Sequence, residues 1–522
     1  MKKFLSPMLT LCLILSLASL SLVGCGNAGS GATSGTASGT SAYTESNSSD
    51  GQSDTAAEDY ADVSAEVSGE SSAEAASENS EQDAQSDTSQ SNTVNSPQTG
   101  ATSRQSDGKL PAFDKTAVIE ETVMIDENDI KITATGLNYT NYSVELELTI
   151  ENNSGKNLSF ISGSLGYCCN SINGYMLSDG YLNCDVAGGK KANDTISFKY
   201  DSLQVYGINE IADIEIGFDV SDDDYNHTYY EPKQVKTSIA DSHDYSGDVY
   251  QETITSPAAI NTYGYDITYF STDTLYDVNG IKLLSSGMMV NRSGEPTLLL
   301  EFENTTDNIA YLSTTDISLN GLLVYTSTWS SDAINPGKRA IIDIDSSSIL
   351  DKEYWDVYGI KDVGSISLTV NQLDSKGADI ADPAAIEIAI PDVEAAFDSN
   401  GAEIYSDNGL RIVSKTVLDD PSSYSSDLHV LLLAENTSGK TLTIKDEYNS
   451  LSVNGFMTDY SFYSKTRNDG QCAALEIRLW GSSLEDNKIA SADEVEEIEL
   501  SLDIRDGRDT IDKPTVKMSF GK

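Results

Sequence analysis

The chain has 522 residues, with 32 Lys and Arg against 83 Asp and Glu, a formal net charge of −51. That balance excludes nucleic acid as a partner, because neutralising phosphates takes clustered Lys and Arg. It also opposes lying flat on anionic lipid and fits a solvated surface whose natural counter-charges are cations or basic partners.

The N-terminus comes first. Lys2 and Lys3 precede a stretch, Phe4 to Val23, that is apolar apart from small hydroxyls, Pro7 and Cys12. Leu22-Val23-Gly24-Cys25 follows. This is the shape of a secretory leader cut after small residues, and it resembles the bacterial lipoprotein signal, in which a Leu and two small or apolar residues precede an invariant Cys. The resemblance implies a leader over 1–24, cleavage after Gly24, and diacylglycerol on the Cys25 sulfur, with a further acyl chain (palmitate or similar) often added at the new N-terminus. Two or three chains suffice for stable anchoring, at about 0.8 kcal/mol per buried CH₂. No later segment reads as apolar enough to span a bilayer. The expectation is a protein held on the extracytoplasmic side of the cell membrane by its lipid.

Residues 25–109 change character. Gly26 to Lys109 holds 14 acids, 2 bases, almost no large aliphatic side chain and two tyrosines, Tyr43 and Tyr60. Such a segment buries too little apolar surface to offset ordering entropy. It reads as a disordered acidic linker whose like charges favour extension.

From residue 110 the sequence repeats. Three turns each open a strand: Asn128-Asp129 before IKITATG, Asn279-Gly280 before IKLLSSG, and Asn408-Gly409 before LRIVSKT. Three alternating strands then end in Glu-Asn, at Asn152, Asn304 and Asn436. An Asn-Gly turn follows at Asn173, Asn320 and Asn454, then Gly-x-x-Ala at Gly189, Gly337 and Gly470. Alternating strands from Ile214, Ile366 and Ile498 close the units. Alternation marks half-buried strands, and Asn-Gly supplies the positive φ angles of two-residue hairpins. The expected fold is all-β: three tandem antiparallel sandwiches over 110–240, 241–392 and 393–522, with a corner between sheets before each closing strand.

The turn, the IKI-x-x-x-G strand and the ELTIEN-x-SGK strand together resemble the Ig-like domains of Gram-positive surface lipoproteins, which are similar in fold to a secreted mycobacterial immunoprotective antigen. The second unit departs by lacking Ser-Gly-Lys after Glu303-Asn304. The resemblance implies an extracellular Ig-like module and no particular ligand.

Chemistry is sparse. Gly24-x-Gly26-x-x-Gly29 matches a dinucleotide fingerprint in letters only, since a strand must precede that motif and a helix follow it. No catalytic residue and no cofactor is read from the chain. No metal site is assigned either. The acids that come nearest are Asp222, Asp224, Asp241 and Asp244, around His227 and His243 at the junction of units one and two, where Ca²⁺ with its six to eight oxygens would be reasonable. His429 is expected to face solvent. Cys184 is spaced to pair with Cys168 or Cys169, while Cys472 aligns with Lys191 and Arg339 and is expected to be exposed and unpaired. The aromatic candidates for a sugar-binding patch are Tyr175, Tyr181, Tyr460 and Tyr463, because a flat apolar ring matches a pyranose face.

The reading that results is a membrane-anchored extracellular lipoprotein with a non-enzymatic binding, adhesion or structural role toward a glycan, cell-wall or protein partner. The alternatives are a solute-binding lipoprotein of a transport system, normally two α/β lobes around a cleft, and a cell-wall-modifying hydrolase.

Overall fold

The computed structural model describes residues 108–520, apart from 164–168, 326–331, 346–349, 351, 421–424 and 463–464. The leader, Cys25 and the acidic linker lie outside the described residues. Strands make up 53% and helices 9%, and no sheet closes on itself. The all-β expectation holds.

Each unit builds one sheet in the same way. The turn residues Asn128, Asp129, Asn279 and Asn408 have φ between 50° and 61°, so each opening hairpin is tight. The opening strand (Ile130–Tyr139, Ile281–Asn291 or Leu410–Asp419) pairs antiparallel with the Glu-Asn strand (Ser143–Asn152, Pro296–Asn304 or Leu428–Asn436). That strand pairs in turn with the Gly-x-x-Ala strand (Lys190–Lys199, Arg339–Asp345 or Cys472–Leu479). The facing sheet holds the closing strand (Asp213–Asp222, Ser365–Leu373 or Glu497–Asp506) and the Asn-Gly hairpin beside it.

Two asparagines per unit do more than turn the chain. Asn152, Asn304 and Asn436 are fully buried. Each donates from Nδ2 to two carbonyls: Lys156 and Val186, Asn308 and Ile334, Lys440 and Arg467. Each accepts at Oδ1 from the amide two residues on. The Asn-Gly asparagines reach across to the corner before the closing strand. There Asn173, Asn320 and Asn454 donate to the carbonyls of Glu210, Asp362 and Glu494 and accept from the first amides of that strand. Backbone groups at an irregular corner need partners, and one side chain per unit supplies them.

The units are not separate sandwiches. The short strand after the first Asn-Gly turn pairs in parallel with the second unit, Tyr175 opposite Arg339, and the Arg339 amide donates to the Gly174 carbonyl at 2.8 Å. The next seam repeats this, with Leu322 opposite Cys472 and Leu323 opposite Ala473. The cores are shared accordingly. The first apolar cluster takes in Met289, Leu299 and Ile341 from the second unit, and the second takes in Val413, Leu431 and Leu433 from the third. Strands buried on both faces read as continuous apolar runs. Pro296–Asn304 and Leu428–Asn436 do so, being buried at seven consecutive positions, whereas Ser143–Asn152 turns Glu145 and Glu147 outward.

Candidate functional site

The first seam holds a polar cleft of about 270 Å³. Its floor is the Asn-Gly turn at Asn173, and its walls are Asp213 and Gln234 from the first unit and Lys338 and Arg339 from the second. A neighbouring cleft of about 200 Å³ shares Asn173, Tyr175 and Tyr245 and reaches His243 and Asp244.

Charges across the seam are matched. Lys338 pairs with Glu215 at 2.6 Å, joining the second unit to the closing strand of the first. Arg339 reaches Asp248 at 3.0 Å, Glu301 at 3.3 Å and Glu303 at 3.6 Å. Glu301 is fully buried. Burial raises its pKa, while hydrogen bonds from Gln251 and Ser285 and the Arg339 charge oppose the shift. Asp213 is also buried and accepts from the Asn173 amide and from Gln234 Nε2 at 2.6 Å. The Tyr245 ring is 44% exposed over the cleft. Partial burial and the Asp213 carboxylate push its hydroxyl well above the ordinary range. The site presents one accessible aromatic ring, an amide and fixed charges of both signs. Such groups are suited to hydrogen-bonding a polar ligand.

The sequence candidates are placed as follows. Asp222 accepts from Asn226 and pairs with Lys156 at 2.5 Å, and these partners hold its carboxyl well below the usual range. Asp224 lies exposed in the same turn. Asp241 sits on the short helical turn Ala240–Ser242, and Asp244 accepts from Ser246. Among the described residues no cluster of three or more His, Cys, Asp or Glu side chains is arranged to hold a metal ion. Tyr175 is buried at the seam, 6.0 Å from the Tyr206 ring, so it offers no face to solvent. Tyr181 is exposed. Tyr460 is half-buried and donates to Asp446 at 2.6 Å. Tyr463 lies outside the described residues. Tyr245, which lines both clefts, went unremarked in the sequence because no repeat landmark carries it.

Three expectations are corrected. Cys169 and Cys184 both carry free thiols, and Cys168 lies outside the described residues. The two thiols belong to different apolar clusters, the second and the first. Cys472 is free but not exposed, because the second unit's hairpin pairs along it. Burial pushes all three thiols up to about 11, which disfavours the thiolate form. His429 is buried at the second seam, its ring 6.0 Å from that of Tyr354.

His429 supplies a pH-dependent contribution. Burial alone disfavours its charged form, but Glu476, bonded to Nδ1, and Asp420, 3.3 Å from Nε2, outweigh that and raise its pKa above 6.5. A raised folded-state pKa gives stability that is fully present below the unfolded value and lost as pH climbs through the folded one. The urea midpoint of the wild type should therefore exceed that of His429→Gln most at pH 5.5, and the gap should narrow as pH passes above 6.5 toward 9. A gap independent of pH would refute this assignment.

No protein-family model matches the sequence, and no curated protein is similar to it. Among solved structures, a protein of unknown function from Porphyromonas gingivalis is 10% identical, covering 49% of this chain and 99% of its own, at TM-score 0.14. An exo-chitosanase from Amycolatopsis orientalis is 7% identical over 77% of this chain and 79% of its own, at TM-score 0.14. A domain of a biofilm-associated protein is 10% identical over 79% and 67%, at TM-score 0.13.

Proposed function

We propose that the chain is an extracytoplasmic lipoprotein, anchored through Cys25, that acts without catalysis by displaying its β units to bind a saccharide of a glycan or of the cell wall. The observation that carries the reading is the first-seam cleft, where the exposed Tyr245 ring stands beside hydrogen-bonding groups. Aromatic faces with flanking polar groups suit sugar rings, and a mixed-charge lining suits the amino and carboxyl groups that decorate wall polymers. Gln234 and Lys236 supply further polar contacts in the same cleft.

The test is calorimetric titration of the chain from Gly26 onward with a saccharide panel and soluble peptidoglycan fragments. Saturable binding that falls about tenfold or more in Tyr245→Ala is the expected result, since a stacked aromatic contributes roughly 1–2 kcal/mol. Hydrolysis of the fragments, or a panel without a single saturable ligand, would overturn the reading.

A further inference from the structure

The seams define a donor and an acceptor. The donor is the short strand after Asn-Gly, and the acceptor is the outer edge of the next unit's Gly-x-x-Ala strand. In the first unit the donor pair Tyr175 and Met176 is 4% and 0% exposed, and in the second Leu322 and Leu323 are 0% and 2%. In the third unit the same pair, Phe456 and Met457, is 56% and 60% exposed. The third donor is built like the others: Asn454 and Gly455 have φ of 52° and 79°, and the hairpin lies on its closing strand.

Among the described residues one acceptor is also left over. In the first unit the Lys190–Lys199 strand is the edge of its sheet. Lys191 stands opposite Glu151 in the register that places Arg339 opposite Glu303 and Cys472 opposite Glu435. Its amide therefore faces the open side, as the Arg339 amide does.

We propose that the third unit of one copy of this chain docks on the first unit of a second copy, the Phe456–Met457 strand pairing along the open edge at Lys191 as Tyr175 and Leu322 pair along theirs. The partner is a second copy because the leftover donor and acceptor carry complementary charge. Lys338 bonds Glu215 across the first seam. By register Lys190 stands for Lys338 and Glu499 for Glu215, so the same ion pair forms between copies when Glu499, which faces Lys517 at 2.7 Å in the single copy, turns to Lys190. The rest of the two faces has changed in concert. Inside the chain, Tyr206 and Tyr358 at the unit apex share apolar clusters with Leu299 and Leu431. At the two ends, Asn487 and the exposed Lys488 take the place of Tyr-Gly, and Glu147 takes the place of the leucine. A dry contact has become a polar, oppositely charged one, suited to reversible association. Donor and acceptor are different surfaces, so the contact is head-to-tail and can extend beyond a dimer.

Sedimentation equilibrium of the chain from Gly26 onward, over a wide concentration range at low and high salt, tests this. Mass should rise with concentration, less so at high salt. Glu499→Lys and Lys190→Glu should each weaken association by about tenfold or more. An equimolar mixture of the two variants should regain it, because each supplies the complement of the other. Phe456→Asp should abolish association while circular dichroism stays unchanged, since the residue is exposed in the single copy. A single monomeric mass at every concentration, association indifferent to Phe456→Asp, or disulfide-linked dimers formed by Phe456→Cys alone, which would mean tail-to-tail contact, would each overturn the proposal.

Discussion

Leu322→Asp should split the thermal unfolding of the protein into separate steps and cost about 3–5 kcal/mol. Leu322 is fully buried in a cluster that also contains Leu431 and Leu433 of the third unit. A carboxylate there would be buried in an apolar cluster, and the parallel pairing of Leu322 with Cys472 is the backbone contact it would disturb. The Tyr358 hydroxyl, which donates to the Leu432 carbonyl at 2.9 Å, would be left as a lesser tie between the same units. Calorimetry should show one broad coupled transition in the wild type and a separated third-unit transition in the variant. Met457→Asp, at the corresponding exposed position of the third unit, is the control. In dilute solution it should change stability by less than about 0.5 kcal/mol. Equal effects at the two positions would contradict the shared-core account.

The second large effect is expected at Asn304→Ala, which should lower stability by about 3 kcal/mol. The side chain is enclosed and makes four hydrogen bonds, to the carbonyls of Asn308 and Ile334 at 2.8 and 2.7 Å and from the amide and hydroxyl of Thr306 at 2.9 and 2.7 Å. Alanine takes this partner from the buried Ile334 carbonyl and the Thr306 amide, while the Asn308 carbonyl keeps the Thr306 hydroxyl. Asn304→Asp should be worse still, because a carboxylate faces both carbonyls and can donate to neither. Urea denaturation of the two variants beside Thr306→Ala, which removes only the hydroxyl bonds, would order the three costs. If Thr306→Ala matched Asn304→Ala, the asparagine clamp would not be the cause.

Much of this was legible in the sequence. The repeat landmarks stand out because each has a local backbone reason: Asn-Gly for the hairpin, alternation for a strand with one wet face. The role of Asn152, Asn304 and Asn436 in tying strands together is not visible locally, because one carbonyl partner of each lies 30 or more residues away. The seams do leave a signal in the sequence. VELELTIE alternates cleanly, whereas LLLEF and VLLLA do not, and continuous runs mean that both faces are covered. The same covering explains Cys472. Its alignment with Lys191 and Arg339 suggested exposure, but Arg339 is itself covered by the preceding unit. Tyr175 likewise lies beside an Asn-Gly turn, where a surface ring is expected, and is covered by the next unit. The cleft at the first seam was hardest to foresee, since Asp213, Gln234, Tyr245 and Lys338 meet only once two units have joined.

The ordering of apolar faces also has a bearing on biogenesis. A chain that emerges N-terminus first folds its leading units while later ones are still unmade. The leading unit here turns Glu145 and Glu147 outward on its Glu-Asn strand, so it has nothing to wait for on that side. Its Tyr175 and Met176, however, stay uncovered until Arg339 arrives some 160 residues later. Leu322 waits in the same way for Cys472. Each of the first two units, while nascent, thus carries one sticky hairpin whose proper cover is the next stretch of chain. A stall between units, rather than within one, is where aggregation or a holding chaperone would have its opportunity.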